Sequence, residues 1–216
     1  MTSHRHETIN LSFLIVDKNG NGHYTTLEGA LSNASAGDTV RVWAGTYYEN
    51  IVVNKTISFL GNGTNTIING SYSNYTVWIN ADRVHIDGFI VEGTLDSTST
   101  STPQNNSAIV VYYADNVTVS NISFRDNTQS LLIHASDYAL IGYNSFVTNQ
   151  TGISLYESDY SEIHRNDFSP NLYHCGVYIF NWHHDGKGGF DLSIHNNTIG
   201  ACWTGMWLPG VTYSVI

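Results

Sequence analysis

The densest chemistry in the chain sits in one phrase, FNWHHDGKGG, at residues 180–189. His183, His184, Asp185 and Lys187 stand almost side by side there. Imidazoles beside a carboxylate can hold a metal ion or pass protons. The plainer reading is a glycine-rich surface turn with two solvated histidines. Asp115, Asp137 and Asp159 recur at 22-residue spacing. Carboxylates in that register either cap turns through backbone N–H groups or share a hard cation such as Ca²⁺. Tyr112, His134, Tyr156 and Phe180 form another recurring set. Their rings could lie against the C–H faces of a sugar chain, or they could simply pack on one another. His164 and His195 also share a phase, beside Arg165. They are either a solvated face or a stacked imidazole pair without the sulfur ligand that copper(I) prefers.

Groups at such intervals meet only if a repeated element carries them. Ile86, Val119, Ile141, Ile163 and Ile194 are each followed five residues later by Val91, Phe124, Phe146, Phe168 and Ile199. The steps between these anchors are 33, 22, 22 and 31 residues, so the unit is 22 with two insertions. A second apolar run precedes each copy, at residues 108–112, 131–135, 152–156 and 176–180, with residues 205–208 opening one more. Runs of four or five apolar residues between Asn, Asp, Ser and Gly read as strands and turns. No part of the repeat has a helical period. A sandwich would not return the same residue at the same phase, and a leucine-rich repeat wants leucine and a helical return. A parallel β-helix fits, with coils about 4.8 Å apart and side chains stacked in columns. One such column is Asn144, Asn166 and Asn197, whose amides can bond along the stack and to turn backbone.

The N-terminal third holds the one convincing helix, TLEGALSNA, after Thr25 or Thr26 as cap. The phrase AGDTVRVWAGTYYENIVV then gives two strands around a glycine turn. The expected organisation is a single all-β domain over residues 1–216: a flexible terminus at 1–11, a capping-helix region at 23–36 and coils over 37–216. The helix would cover one open end of the stack. The C-terminal WLPGVTYSVI still reads as strand without a cap. That pattern suggests a fragment of a longer chain, or a last coil that packs on a partner.

With 8 basic and 18 acidic residues, the formal charge is −10, and no basic run exists. Nucleic acid is therefore not an expected partner, and a polyanionic glycan would need a bridging cation. No apolar run is long enough to span a bilayer. Eleven Asn-X-Ser/Thr sites are present: Asn10, Asn33, Asn54, Asn62, Asn69, Asn74, Asn105, Asn116, Asn121, Asn149 and Asn196. That density leans towards a secreted or cell-surface glycoprotein. Cys175 and Cys202 are either one disulfide or two buried thiols. The Ser/Thr-rich stretch at residues 92–107 reads as a surface loop.

YTTLEGAL, GDTVRVWAGTYYENIVV, ISFLG and TIING, in that order, resemble the opening of pectin lyase-like right-handed parallel β-helix proteins. GISLYESDYSEIHRNDF resembles the NosD-like, carbohydrate-binding and sugar-hydrolase (CASH-type) repeats. The resemblance covers residues 12–208 and implies the fold. It implies no single activity, because this fold carries many. VDKNGNGHYTTLEGAL is similar to the start of pectin methylesterases. Their Gln-Asp-Thr and Asp-Phe-Ile-Phe-Gly strings are absent, although Asp126 and Gln129 lie nearby. The strings of polygalacturonases and the Asp-Pro-His-Asp/Glu string of alginate epimerases are absent too. Arg125 and Arg165 sit in no lyase motif. The expectation is an extracellular module for carbohydrate binding, adhesion or scaffolding, without established catalysis. Its alternatives are a polysaccharide lyase, epimerase or hydrolase, and an assembly unit that stacks on another β-helix subunit.

Overall fold

The computed structural model describes residues 12–94, 106–147, 151–168, 175–180, 191–200, 204–207 and 214–215. Within them the chain winds as a right-handed parallel β-helix of three sheets. The first sheet has seven strands, from Ile51–Val53 to Thr204–Trp207. The second has nine, from Phe13–Val16 to Ser214–Val215. The third has seven, from Gly45–Tyr47 to Thr198–Ile199. Every pairing is parallel, and each strand bonds to its counterpart one coil away.

The anchors fall where the period puts them. Ile86, Val119, Ile141, Ile163 and Ile194 are paired in register through the second sheet and are buried. Phe124, Phe146 and Phe168 stack beside them, with ring centroids 4.9 and 4.6 Å apart and nearly parallel planes. The apolar runs form strands Ser107–Tyr112, Gln129–His134, Thr151–Tyr156 and Cys175–Phe180. The stretch expected as loop at residues 92–107 is strand at both ends, in Ile90–Thr94 and from Ser107. Ile90–Thr94 is strand, because Val91 is a core anchor that holds its neighbours in the ladder. Residues 95–105 and 1–11 lie outside the described residues.

Each 22-residue coil turns by the same means. Ala135, Tyr138 and Tyr143 take left-handed φ of 48, 59 and 60°. Non-glycine residues adopt that region at a cost of about 1 kcal/mol each. Their N–H groups are then aimed at the next coil and donate to the carbonyls of Tyr156, Asp159 and His164. Short polar side chains fill the remaining backbone needs. Ser136 Oγ accepts from Ala114 N and Ser158 Oγ from Ser136 N. Asn144 Oδ1 accepts from Ile122 N, and Asn166 Oδ1 from Asn144 N. The polar half of the repeat is thus a list of turn caps.

The helix is Leu27–Asn33, with Thr26 as cap, and it buries Leu27, Ala30 and Leu31. Seven residues are too few to be helical alone. Tertiary contacts hold both ends. The Glu49 carboxylate accepts from Leu27 N and Glu28 N at 2.9 Å each. Lys55 Nζ donates to the carbonyls of Leu31, Ser32 and Ala34 at 3.1, 2.8 and 2.7 Å. An anion at the N-terminus and a cation at the C-terminus both oppose the helix dipole. Lys55→Met is therefore expected to cost about 1–3 kcal/mol, read as a lower denaturant midpoint. Hydrogen exchange should rise first in residues 27–34. A midpoint within error of the parent would mean the helix docks by its apolar face alone.

Asp38, 3% exposed, closes the same end of the stack. Its carboxylate accepts from Ser12 N and Ser35 N at 2.8 and 2.7 Å. The Ser35 N–H above all holds its pKa below the usual carboxylate value, against the opposing effect of burial. A depressed folded pKa gives stability that is present above the unfolded value and lost as pH falls through the folded one. Asp38→Asn should therefore flatten the acid limb of the stability profile below about pH 4. An unchanged acid limb would remove Asp38 from that role.

Candidate functional site

The outer face of the first sheet gathers the expected ring set. Tyr112, His134, Tyr156 and Phe180 are direct register partners. Tyr112 and His134 lie 5.1 Å apart, edge to face, and His134 and Tyr156 6.1 Å apart. The side chain of Phe180 lies outside the described residues. Two rings that the 22-residue phase does not single out extend the row. Trp78 lies 5.4 Å from Tyr112, and Tyr178 lies 5.9 Å from Tyr156. Both stand two residues out of phase with the column, opposite Val110 and Ser154, and reach it diagonally. The available signal was the outward alternation of Trp78 in Tyr75–Ile79 and of Tyr178 in Cys175–Phe180. Tyr113 joins from the turn, 4.5 Å from Tyr112 and 66% exposed.

The row is half-buried and stands outside the main core. Burial pushes the Tyr156 hydroxyl up to about 12, helped by Tyr178. Burial also lowers the His134 pKa, against the pull of Glu157, so the imidazole is neutral at pH 7. Its Nε2 is 3.9 Å from Glu157, and its Nδ1 is buried with no hydrogen-bond partner. Such an atom costs about 1–3 kcal/mol while it has no partner. The face is therefore a continuous aromatic strip, uncharged at its centre, with one polar atom unsatisfied. Chemically it can stack flat apolar surfaces.

The aspartate column is a cap. Asp82 Oδ1 accepts from Asp115 N, Asp115 Oδ1 from Asp137 N, and Asp137 Oδ1 from Asp159 N, at 2.8–2.9 Å. Asp82 is the member that the 22-residue phase did not reveal, because it lies across the long insertion. Each of these three carboxylates keeps one oxygen on the next coil's backbone, which separates the charges and does not build a cation cage. Among the described residues no group of three or more His, Cys, Asp or Glu side chains is placed to hold a metal ion. His164 and His195 stack 5.6 Å apart. Both nitrogens of His195 are engaged, Nε2 by Glu162 and Nδ1 by Asn196. The loop residues His183, His184, Asp185 and Lys187 lie outside the described residues, as do Cys202, the Cys175 side chain and Asn10, Asn105 and Asn149. Of the other Asn-X-Ser/Thr positions, Asn33, Asn54, Asn62, Asn74, Asn116, Asn121 and Asn196 are exposed, and Asn69 is half-buried.

Three coil sheets, an asparagine turn ladder and an amphipathic end helix define a right-handed parallel β-helix of the pectin lyase-like class. The family described as periplasmic copper-binding protein (NosD) matches residues 15–201, and the chain belongs to that family. The described residues do not assemble a copper site. Pectin methylesterase PemA from Erwinia chrysanthemi is similar in fold, at 11% identity and TM-score 0.59 over 89% of this chain and 67% of that one. A pectin methylesterase solved with a hexasaccharide gives 10% identity and TM-score 0.58 over 92% and 81%. Alginate lyase from Paenibacillus sp. str. FPU-7 gives 16% and 0.50 over 81% and 72%. No curated protein sequence matches significantly.

Proposed function

We propose that the chain is an extracytoplasmic β-helix module that binds a carbohydrate chain along the outer face of its first sheet. The observation that carries this reading is the unbroken ring row from Trp78 through Tyr112, His134 and Tyr156 to Tyr178. Successive rings lie 5.1–6.1 Å apart, so the row can follow an extended glycan. Pyranose C–H faces stack on aromatic faces, which such a row supplies without interruption. The family's description as periplasmic and the exposed Asn-X-Ser/Thr positions support a location outside the cytoplasm. Adhesion, or scaffolding by stacking on another copy, would use the same fold without this strip.

A glycan array with the purified chain, with and without Ca²⁺, tests the reading. Binding without cleavage products is expected, unchanged by Ca²⁺. On the glycan that binds, Tyr156→Ala should weaken affinity about tenfold, measured by calorimetry. Silence across the array, or full affinity in both Tyr156→Ala and Trp78→Ala, would remove the glycan role and leave scaffolding. Cleavage products would move the assignment to an enzyme.

A further inference from the structure

A second cleft lies on the other side of the coil, where the second sheet turns into the third. It is an open cleft of about 370 Å³ lined by Arg41, Val42, Trp43, Ala44, Gly61 and Asn62. That is within the range of small-ligand sites, about 300–1,000 Å³. In Thr39–Val42 the even-numbered valines point into the core and Arg41 points out. Trp43 follows the last strand residue on the same outward alternation, and 43% of its surface is exposed. The two side chains therefore stand on one face at i and i+2.

Neither side chain makes a hydrogen bond or ion pair among the described residues. Trp43 contributes only its backbone to the turn, its N–H donating to Val16 O and its carbonyl accepting from the Tyr47 hydroxyl. No ion pair holds the Arg41 guanidinium among the described residues. Its register partner is Leu60, and the nearest acid on that column, Asp87, is one coil further away. The Asp87 carboxylate is already held by Ser120 Oγ at 2.7 Å and Asn121 Nδ2 at 2.6 Å. In a chain of charge −10, a guanidinium with no carboxylate partner beside an exposed indole is a conspicuous pairing. The fork of the guanidinium matches a carboxylate, and the indole matches the C–H face of a pyranose.

We infer that this cleft binds one carboxylated sugar, a uronate residue of an otherwise neutral glycan. The overall charge disfavours a run of uronates, which the rest of the surface would repel. The site is separate from the ring row, which lies on another sheet and has no cation at its centre.

The test is titration of the parent chain with methyl glucuronoside and with its uncharged methyl ester, followed by saturation-transfer NMR and calorimetry. Saturable binding of the acid is expected, with the ester at least tenfold weaker. Arg41→Gln should reduce the acid to the ester's level, and Trp43→Ala should weaken both. Tyr72→Ala, an exposed ring outside both the cleft and the ring row, should leave both unchanged, so a loss is specific to Arg41 and Trp43. Arg41 is exposed, and unchanged circular dichroism should confirm that Arg41→Gln folds. Equal binding of acid and ester, no saturable binding of either, or an acid affinity indifferent to Arg41→Gln would each overturn the inference.

Discussion

Phe146→Ala should destabilise the coil stack by about 3–5 kcal/mol. Phe146 is fully buried, and its ring lies between Phe124 at 4.9 Å and Phe168 at 4.6 Å, within 7° of parallel to both. Removing it deletes both contacts and leaves a void that neither neighbour can fill, because each is tied to its own coil. Movement on the Phe168 side is further limited. A Cβ at Gly152 would already lie 2.8 Å from the Phe168 ring and 2.5 Å from the Gly176 carbonyl, so backbone and ring are in close contact there. In a solenoid each coil touches only its neighbours, so a central defect weakens two interfaces at once. Urea unfolding should show the loss as a lower midpoint, with exchange rising first in residues 140–168. Phe146→Leu keeps most of the volume and should cost less than half as much. A loss under 1 kcal/mol for the alanine variant would mean that the aromatic column is filler and that the Ile column beside it carries the core.

Much of this was legible because a coil repeats its chemistry at a fixed phase. Val119, Ile141, Ile163 and Ile194 could be placed in one column from spacing alone, and the asparagine and aspartate columns followed. What spacing did not reveal was contact between phases. Trp78 aligns with Val110, yet its ring reaches Tyr112, because long side chains on a sheet meet diagonal neighbours. Lys55 was invisible for a different reason. Its three acceptors are carbonyls of a helix end 21 to 24 residues earlier, and backbone groups leave no pattern in a sequence. The choice among roles for the aspartates was legible only as a set of alternatives. It needed the direction of each carboxylate, which here is towards the next N–H. Arg41 and Trp43 sit outside the 22-residue repeat, so nothing in the period drew attention to them.

The asparagine column makes the second large prediction. Asn166 is 1% exposed and uses its whole amide. Oδ1 accepts from Asn144 N at 2.9 Å and from Asn144 Nδ2 at 3.0 Å. Nδ2 donates to Ile141 O at 2.9 Å and to Asn197 Oδ1 at 3.1 Å. Asn166→Ala strands a buried N–H on Asn144 and removes the side-chain bond to the Ile141 carbonyl, which keeps its place in the strand ladder. The orphan N–H costs about 1–3 kcal/mol and the lost bond to Ile141 O about 1 kcal/mol more, so a loss of about 2–4 kcal/mol is expected. Asn197→Ala should cost less, since Asn197 is half-exposed and water can take its place. Asn166→Asp separates hydrogen bonding from shape. It keeps an acceptor for Asn144 but turns a carboxylate towards Ile141 O and Asn197 Oδ1. Burial beside two acceptors raises a carboxyl pKa in the folded state. The folded state then binds the proton more tightly, so stability is fullest below the unfolded value of about 3.9 and falls as pH rises above it. The aspartate variant should therefore be less stable at pH 7 than at pH 4 relative to the parent, while the alanine variant shows no such slope. If both variants track the parent at every pH, the ladder follows the fold and does not hold it.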